Sequence, residues 1–170
     1  MSGEGGRAWV FGDDVDTDAL APGAYMKGPI EVLAAHCLES LDPRFAANVA
    51  PGDVVVGGRN FGLGSSREQA AQALLQLGVA AVVAESFAGL FYRNALNLGL
   101  TALVCPEARQ IRPGDRLSVD AAAGRIDVLT AARVLTCEAI PDFLVEMLRD
   151  GGLVPHLEKK LKARRGSAMS

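Results

Sequence analysis

Asn60-Phe61-Gly62-Leu63-Gly64-Ser65-Ser66-Arg67-Glu68 stands between an apolar run, Val54–Val56, and a helix-like segment, Gln69–Leu75. Further short apolar runs at 80–84 and 101–104 follow, each separated from the previous run by a segment with helical spacing. Short continuous apolar runs of this kind are typical of parallel strands that are covered on both faces. The pattern therefore predicts an α/β fold with a mostly parallel core sheet.

The same stretch favours anion binding. Gly62 and Gly64 allow a sharp turn and close approach of the backbone to a ligand. Ser65 stands three residues before Glu68, a capping-box spacing that predicts a helix start at this point. Helix N-termini favour carboxylate or phosphate, and Arg67 adds a fork for a carboxylate. The alternative is an ordinary capped helix with a solvated Arg67.

Two common nucleotide motifs are absent from this stretch. No Gly-Lys-Ser/Thr follows, so it is not a Walker phosphate loop, and no third glycine stands where a dinucleotide fingerprint requires it. Composition argues against nucleic acid as a partner, since the net charge is −3 and only 5% of residues are aromatic. The length of 170 residues suits one domain.

The three cysteines, Cys37, Cys105 and Cys137, are far apart and form no Cys-x-x-Cys pair. They are expected to be buried thiols in a reducing compartment, and the chain itself offers no thiolate set for a metal. The N-terminus lacks the apolar core of a signal peptide, and no apolar run approaches the ~18 residues of a membrane helix. A cytoplasmic protein is predicted.

The remaining elements are predicted from periodicity and turn residues. Residues 1–6 are expected to be a disordered lead-in. An acidic loop, 12–18, lacks the glutamate of a calcium loop, so it forms Asx turns or directs an aspartate into a site. The other predicted elements are a strand at 8–11, a helix at 30–38, a helix at 87–98 capped by Ser86, an antiparallel addition at 116–119, 125–128 and 133–136, a helix at 140–148, and a basic final helix at 153–162.

Several polar groups stand in the irregular segments beside the first strands. We expect them to form an anion pocket suited to a di- or tricarboxylic acid. No Gly-x-Ser-x-Gly elbow occurs and neither histidine stands in a serine–histidine arrangement, which argues against a hydrolase triad. The polar groups are Asp16, Thr17, Asp18, Lys27, Asn60, Ser65, Ser66 and Arg67.

Three segments together resemble a known family. They are residues 60–68, the upstream Asp16-Thr17-Asp18, and the downstream Ser86-Phe87-Ala88-x-x-Phe91-Tyr92-Arg93-Asn94. In this order they resemble the small subunits of isopropylmalate dehydratase and homoaconitase, relatives of the swivelling C-terminal domain of aconitase. The resemblance covers residues 7–155 and leaves 156–170 as a basic C-terminal helix and tail.

The resemblance implies a three-layer β/β/α swivelling domain that works with a large subunit carrying a [4Fe–4S] cluster, in a heterodimer or heterotetramer. The isolated chain is expected to be able to form a homodimer. The implied reaction is reversible dehydration and rehydration of a hydroxy acid, with Ser65 as the base and Asp18 as a second catalytic residue. The implied substrate-binding residues are Ser66, Arg67, Lys27, Met26, Tyr25, Asn60 and Gly64.

Substrate choice is expected to depend on the loop Tyr25-Met26-Lys27-Gly28. Lys27 favours a substrate with a charged end, because an ammonium buried against an alkyl group is costly. Alternatively, Lys27 extends to water and leaves Met26 facing an alkyl group. Leu63 and Gln69 depart from the family pattern, but neither replaces Ser65, Ser66 or Arg67. A non-catalytic carboxylate-binding domain and a purely structural domain are the alternative functions.

Overall fold

The protein is an α/β domain, and its structure, a computed structural model, describes residues 5–169. The strands are β1 Gly6–Val10, β2 Val54–Val56, β3 Ala81–Ala84, β4 Thr101–Val104, β5 Arg116–Asp120, β6 Arg125–Val128 and β7 Arg133–Thr136. The α-helices are α1 Thr17–Leu20, α2 Ile30–Ala34, α3 Phe45–Asn48, α4 Gln69–Gln76, α5 Gly89–Leu98, α6 Asp142–Arg149 and α7 Leu153–Met169. Short 3₁₀ turns occupy Gly23–Tyr25 and Ala108–Gln110.

The core is a parallel sheet in the order β4-β3-β2-β1. Val55 of β2 pairs with Trp9 of β1 on one side and Val82 of β3 on the other. Every residue of β2 and β3 is buried, as expected for β-branched and small apolar residues covered on both faces. The predicted parallel sheet is confirmed.

The antiparallel strands continue the sheet beyond β1 in the order β5-β6-β7. The sheet curls, so that Glu138, just after β7, donates its N–H to the carbonyl oxygen of Val104 at the end of β4, at 2.9 Å. A cavity lined by Val54 and Thr101 on one side and Leu117 and Val119 on the other separates the two halves. The antiparallel strands thus form a layer over one face of the parallel sheet.

The helices form the third layer, in which α4 packs against α1, α2 and α5, and α5 packs against α6 and α7. This is the predicted β/β/α order. Among the described residues, no helix combines the length and apolar character that crossing a membrane requires.

The start of β1 corrects the prediction of a disordered lead-in over residues 1–6. Gly6 pairs with Leu117 and belongs to the strand, whereas residues 1–4 lie outside the described residues. Glycine fits here because a Cβ would collide with the carbonyl oxygen of Gly52. The strand therefore begins earlier than the predicted Ala8.

Several predicted helix boundaries were wrong, and the helix predicted at 140–148 spans Asp142–Arg149. The helix predicted at 30–38 ends at Ala34, because Leu38 has a φ of +60° and donates its N–H to Ala19, outside the helix. The helix predicted from Phe87 begins at Gly89, and Ser86 does not cap it. The final helix continues to Met169, beyond the predicted Lys162.

Candidate active site

Three loops leave the carboxyl ends of β1, β2 and β3 side by side, at the edge where α/β folds usually bind ligands. They are residues 12–18, 58–64 and 85–88. Backbone hydrogen bonds join the first loop to the second and the second to the third. These bonds run from Asp14 N to Arg59 O (2.8 Å), Gly62 N to Val15 O (2.7 Å), Thr17 N to Leu63 O (2.8 Å), Phe61 N to Ser86 O (3.0 Å) and Ala88 N to Phe61 O (2.9 Å).

The second loop is anchored by aromatic packing. Phe61 is fully buried, and its ring centroid lies 5.4 Å from that of Phe91 and 5.9 Å from that of Phe87, both in edge-on contacts. Gly62 has a φ of +87°, and a Cβ at this position would overlap the Phe91 side chain. The Phe-Gly pair therefore fixes the loop to α5 and places the following serines at the surface.

The predicted capping box at Ser65 is wrong. Helix α4 begins at Gln69, its N-cap residue is Glu68 in αR conformation, and no side chain caps it. Arg67 N donates instead to Ser65 O at 2.9 Å, which closes a tight turn ahead of the helix. Gly64, with a φ of +114°, turns the chain into this segment.

The turn exposes a group of backbone donors. Among the described residues, Arg67 N makes the only backbone hydrogen bond donated within residues 64–69. Both Ser65 and Ser66 are exposed. The N–H groups of this turn and the two hydroxyls can therefore receive an anion, although a pre-helical turn presents them rather than the helix itself.

Arg67 is held at the junction of the first and second loops. Its Nη1 donates to the carbonyl oxygen of Ala21 at 2.7 Å and lies 3.4 Å from Asp18 Oδ1. Its side chain is 22% exposed, so the guanidinium is sheltered but still accessible. Arg67 is therefore not fully solvated, and that alternative was wrong.

The aspartates of the first loop have different tasks. Asp16 caps α1, with its Oδ1 accepting from Ala19 N at 2.7 Å. Asp18 faces Arg67 and also accepts from Gly23 N at 3.1 Å. Asx capping and an aspartate directed toward the candidate site, the two alternatives for this loop, therefore occur together.

The loop at 25–28 packs against His36 and the core rather than against Arg67. Tyr25 stacks on His36, with ring centroids 3.7 Å apart and planes within 2°. Met26 is half-buried against the core, and Lys27 is exposed. Gly23, two residues before this loop, donates its N–H to Asp18 of the candidate site.

Asn60 forms hydrogen bonds within the protein through its side-chain NH₂ group and its backbone. Its Nδ2 lies 3.1 Å from Asp14 Oδ1, and its backbone N–H donates to Ser86 Oγ at 2.9 Å. Its φ of +59° is the left-handed conformation that asparagine tolerates better than most residues. In this structure Asn60 holds the three loops together, and its predicted substrate contact stays a prediction.

Sequence reasoning missed an ion cluster at the base of the loops. Arg109 contacts Asp13 and Glu85, which stand 96 and 24 residues away along the chain. Hydrogen bonds from the backbone of Arg59 and from the Arg109 side chain lower the pKa of Asp13 to about 2. The separations explain the omission, because no local motif links these residues.

The thiols are buried, as predicted, and all three are free. Burial raises the pKa of the Cys37 thiol well above its usual range. Among the described residues, no three His, Cys, Asp or Glu side chains are grouped so that they could hold a metal ion.

Comparisons with known proteins agree with this fold. The family model of the aconitase C-terminal domain matches residues 42–108. The isopropylmalate/citramalate isomerase small subunit of Methanocaldococcus jannaschii is 46% identical over 92% of this chain and 94% of its own length. The homoaconitase small subunit of Methanothermobacter thermautotrophicus is 46% identical over 92% and 91%, and the 3-isopropylmalate dehydratase small subunit of Moorella thermoacetica 46% over 92% and 96%.

A solved structure of 3-isopropylmalate dehydratase from Methanocaldococcus jannaschii superimposes with a TM-score of 0.90 at 42% identity, covering 95% of this chain and 97% of that one. Together, the β/β/α fold and the Gly-Ser-Ser-Arg turn define a domain of the aconitase C-terminal class. The chain belongs to the family of 3-isopropylmalate dehydratase and homoaconitase small subunits, which are aconitase-type hydro-lyases.

Proposed function

We propose that this chain supplies the base and the carboxylate-binding residues of a hydro-lyase that reversibly dehydrates and rehydrates a hydroxy di- or tricarboxylic acid. Substrates such as 3-isopropylmalate or homocitrate and homoaconitate fit this class. The observation that carries the proposal is the position of Arg67, fixed by Ala21 and Asp18 beside a turn of unpaired amide groups.

Arg67 and Ser66 bind a substrate carboxylate in this proposal. A guanidinium binds a carboxylate through two parallel hydrogen bonds, and both contacts of Arg67 to the protein fall on Nη1. The edge formed by Nε and Nη2 is therefore available to the substrate. Asp18 keeps the guanidinium in place, and Ser66 adds a hydroxyl donor.

Ser65 takes the proton from the substrate carbon next to that carboxylate and returns it in the reverse direction. An alkoxide needs stabilisation by nearby donors, as in an oxyanion hole. The N–H groups of Gly64, Ser65 and Ser66 have no acceptor among the described residues, so they support this role. The exposed position of Ser65 leaves its hydroxyl accessible to substrate.

The partner of this chain is a large subunit, in line with the small-subunit relatives. A [4Fe–4S] cluster in that subunit would act as a Lewis acid toward the substrate hydroxyl. The described residues of this chain offer it no ligand set, since the thiols are buried and no acidic or histidine group is arranged for a metal. The exposed serine turn leaves a face on which the partner can close the site.

In this proposal, the loop at 25–28 contacts the end of the substrate that differs between hydroxy acids. Lys27 is exposed, so its ammonium can approach a second carboxylate without first losing a protein partner inside the core. Met26 is half-buried and packs against the core, which leaves less of it to contact an alkyl group. Together these positions favour a substrate with a charged end.

The test is reconstitution with the large subunit, anaerobically and with the iron–sulfur cluster restored. General-base catalysis contributes about 10²–10⁴-fold, so Ser65→Ala should lower kcat by at least about 10²-fold. Ser66→Ala should mainly raise KM. Ser40→Ala, at an exposed serine of another segment, is the control and should leave both constants unchanged.

Undiminished activity of Ser65→Ala would end the base assignment. If the wild-type assembly bound hydroxy acids without converting any of them, the chain would instead be a carboxylate-binding domain without catalytic activity.

A further inference from the structure

Arg109 connects loops that begin on different strands. It lies in the 3₁₀ turn Ala108–Gln110 after β4. Its Nη2 is 2.7 Å from Asp13 Oδ1, and its Nε is 2.7 Å from Glu85 Oε1. Asp13 belongs to the loop after β1, and Glu85 is the first residue after β3, so one guanidinium joins both loops.

Asp13 extends the connection to the loop after β2. Its Oδ1 accepts from Arg59 N at 2.8 Å, and its Oδ2 lies 3.5 Å from Arg59 Nη2. A Cβ on Gly58 would collide with the Asp13 carboxylate, so a glycine is needed for this approach. Arg109, Asp13, Glu85 and Arg59, here called the loop clamp, therefore tie together the three loops that carry the candidate site.

Among the described residues, Glu85 has no ion-pair partner that could replace Arg109. Glu85 has a side chain that is 16% exposed, and its Oε2 is buried without a hydrogen-bond partner. Arg109 is its only ion-pair partner there. Removing Arg109 would leave a sheltered carboxylate without its counter-charge, which favours movement of the loop.

The clamp also lies a few residues before the proposed catalytic groups. Asp13 precedes Asp18 by five residues, and Arg59 precedes the serine turn at 64–66 by a similar distance. The backbone hydrogen bonds between residues 12–18 and 58–64 begin beside the clamp, with Gly58 N bound to Gly12 O and Asp14 N bound to Arg59 O. Movement of the clamp residues would therefore displace both loops.

We propose that Arg109 is a positioning residue of the active site: by holding Asp13 and Glu85 together, it sets the loops that place Asp18, Ser65 and Arg67. It does not touch the substrate. The inference deepens the proposed function and rests on it for its kinetic consequence, whereas its structural consequence can be measured on this chain alone.

The first test is hydrogen–deuterium exchange of the full isolated chain. In Arg109→Gln, amides of residues 12–18 and 58–64 should exchange at least about 10-fold faster than in the wild type. The control is Arg125→Gln, which removes an equally close arginine–aspartate pair, with Nε 2.8 Å and Nη2 3.1 Å from the Asp127 oxygens on β6. It should leave both loops unchanged.

The second test is activity after reconstitution with the large subunit. Arg109→Gln should lower kcat about 10-fold or more, and Arg109→Lys should recover part of the loss, because an ammonium keeps the charge but lacks the planar fork whose Nε and Nη2 each meet one carboxylate. Arg125→Gln should keep wild-type kcat. If Arg109→Gln does not fold, Arg109→Lys and Asp13→Asn provide the same comparison.

Unchanged loop exchange in the Arg109 variants would overturn the proposal, as would faster exchange with wild-type kcat. An inactive wild-type assembly would count against the proposed function, and the exchange result would still decide whether Arg109 holds the loops.

Discussion

Arg67 Nη1 lies 3.4 Å from Asp18 Oδ1, so a guanidinium on the second loop meets a carboxylate on the first. The same nitrogen donates to the carbonyl oxygen of Ala21 at 2.7 Å. Asp18 is 71% exposed, so solvent screens this ion pair and it adds little to stability. Its effect is geometric, because it helps to hold the guanidinium in one position through Nη1.

Arg67→Lys should weaken substrate binding. Lysine keeps the charge but loses the planar fork, and a hydrogen bond to a charged group contributes about 1.5–3 kcal/mol. We expect KM of the reconstituted enzyme to rise about 10-fold or more, with little change in the thermal midpoint of the isolated chain. Arg44→Lys, at an exposed arginine paired with Asp42, is the control. An unchanged KM would remove Arg67 from the binding site.

Lys27→Val should shift preference toward substrates with an alkyl end, because it removes the exposed ammonium of the loop at 25–28. The measurement is the ratio of kcat/KM for 3-isopropylmalate and homoaconitate in the reconstituted enzyme. Lys27→Arg keeps the charge and should keep the wild-type ratio. Equal ratios in the wild type and Lys27→Val would show that this loop does not set specificity.

Gly62→Ala should destabilise the protein more than Gly114→Ala. The two glycines have nearly the same φ, +87° and +85°, but a Cβ at Gly62 would overlap Phe91, while nothing lies within 4 Å at Gly114. Strained backbone costs about 1 kcal/mol or more at either site, and overpacking adds roughly 1–3 kcal/mol at Gly62. Urea unfolding measures the difference, and equal losses would mean that Phe91 moves aside without cost.

Asp53→Asn should weaken the fold and flatten its response to acid. Burial of Asp53 would raise its pKa, but hydrogen bonds from Ala50 N, Trp9 Nε1 and Arg7 N outweigh burial, and the pKa falls below the usual 3.8. Its stabilising contribution is therefore complete above about pH 4 and is lost as the pH falls through the lowered folded value.

We expect the free energy of unfolding of Asp53→Asn to fall by about 1–3 kcal/mol at pH 7, because buried donors lose their charged acceptor. The difference from the wild type should shrink as the pH falls below about 4. Asp127→Asn, on the surface of β6, is the control. A difference that stays constant down to pH 2 would contradict the assignment.

The repeating α/β pattern could be predicted from the sequence because each apolar run is local. The runs at Val54–Val56 and Ala81–Ala84 are continuous and short, which indicates strands covered on both faces. Helix α5 ends at Leu98, as predicted, and Gly99 follows it with a φ of +91°. Helix starts were less predictable: Ser86 Oγ accepts a hydrogen bond from Asn60 N instead of capping α5, and that contact joins residues 26 apart in the chain.

The composition of the candidate site was also recognisable, because Gly62 to Arg67 are adjacent and their chemistry follows from their types. Their conformation could not be predicted. The expected capping box at Ser65 is absent, and a turn stands there instead, held by contacts of the preceding residues with Thr17 and Phe91. The loop clamp has no sequence signature. Arg109 and Asp13 are 96 residues apart in the chain, and they form an ion pair only because the strands bring them to the same edge of the sheet.

The order of apolar and polar residues along this chain was enough to predict its strands and glycine turns, and three short motifs carried the resemblance to its family. Folding in three dimensions settled which aspartate caps a helix and which faces Arg67, and which amides stay available to a ligand. The reason is that hydrophobic periodicity is a local property, whereas hydrogen-bond partners between loops depend on the packing of strands that are distant in the chain.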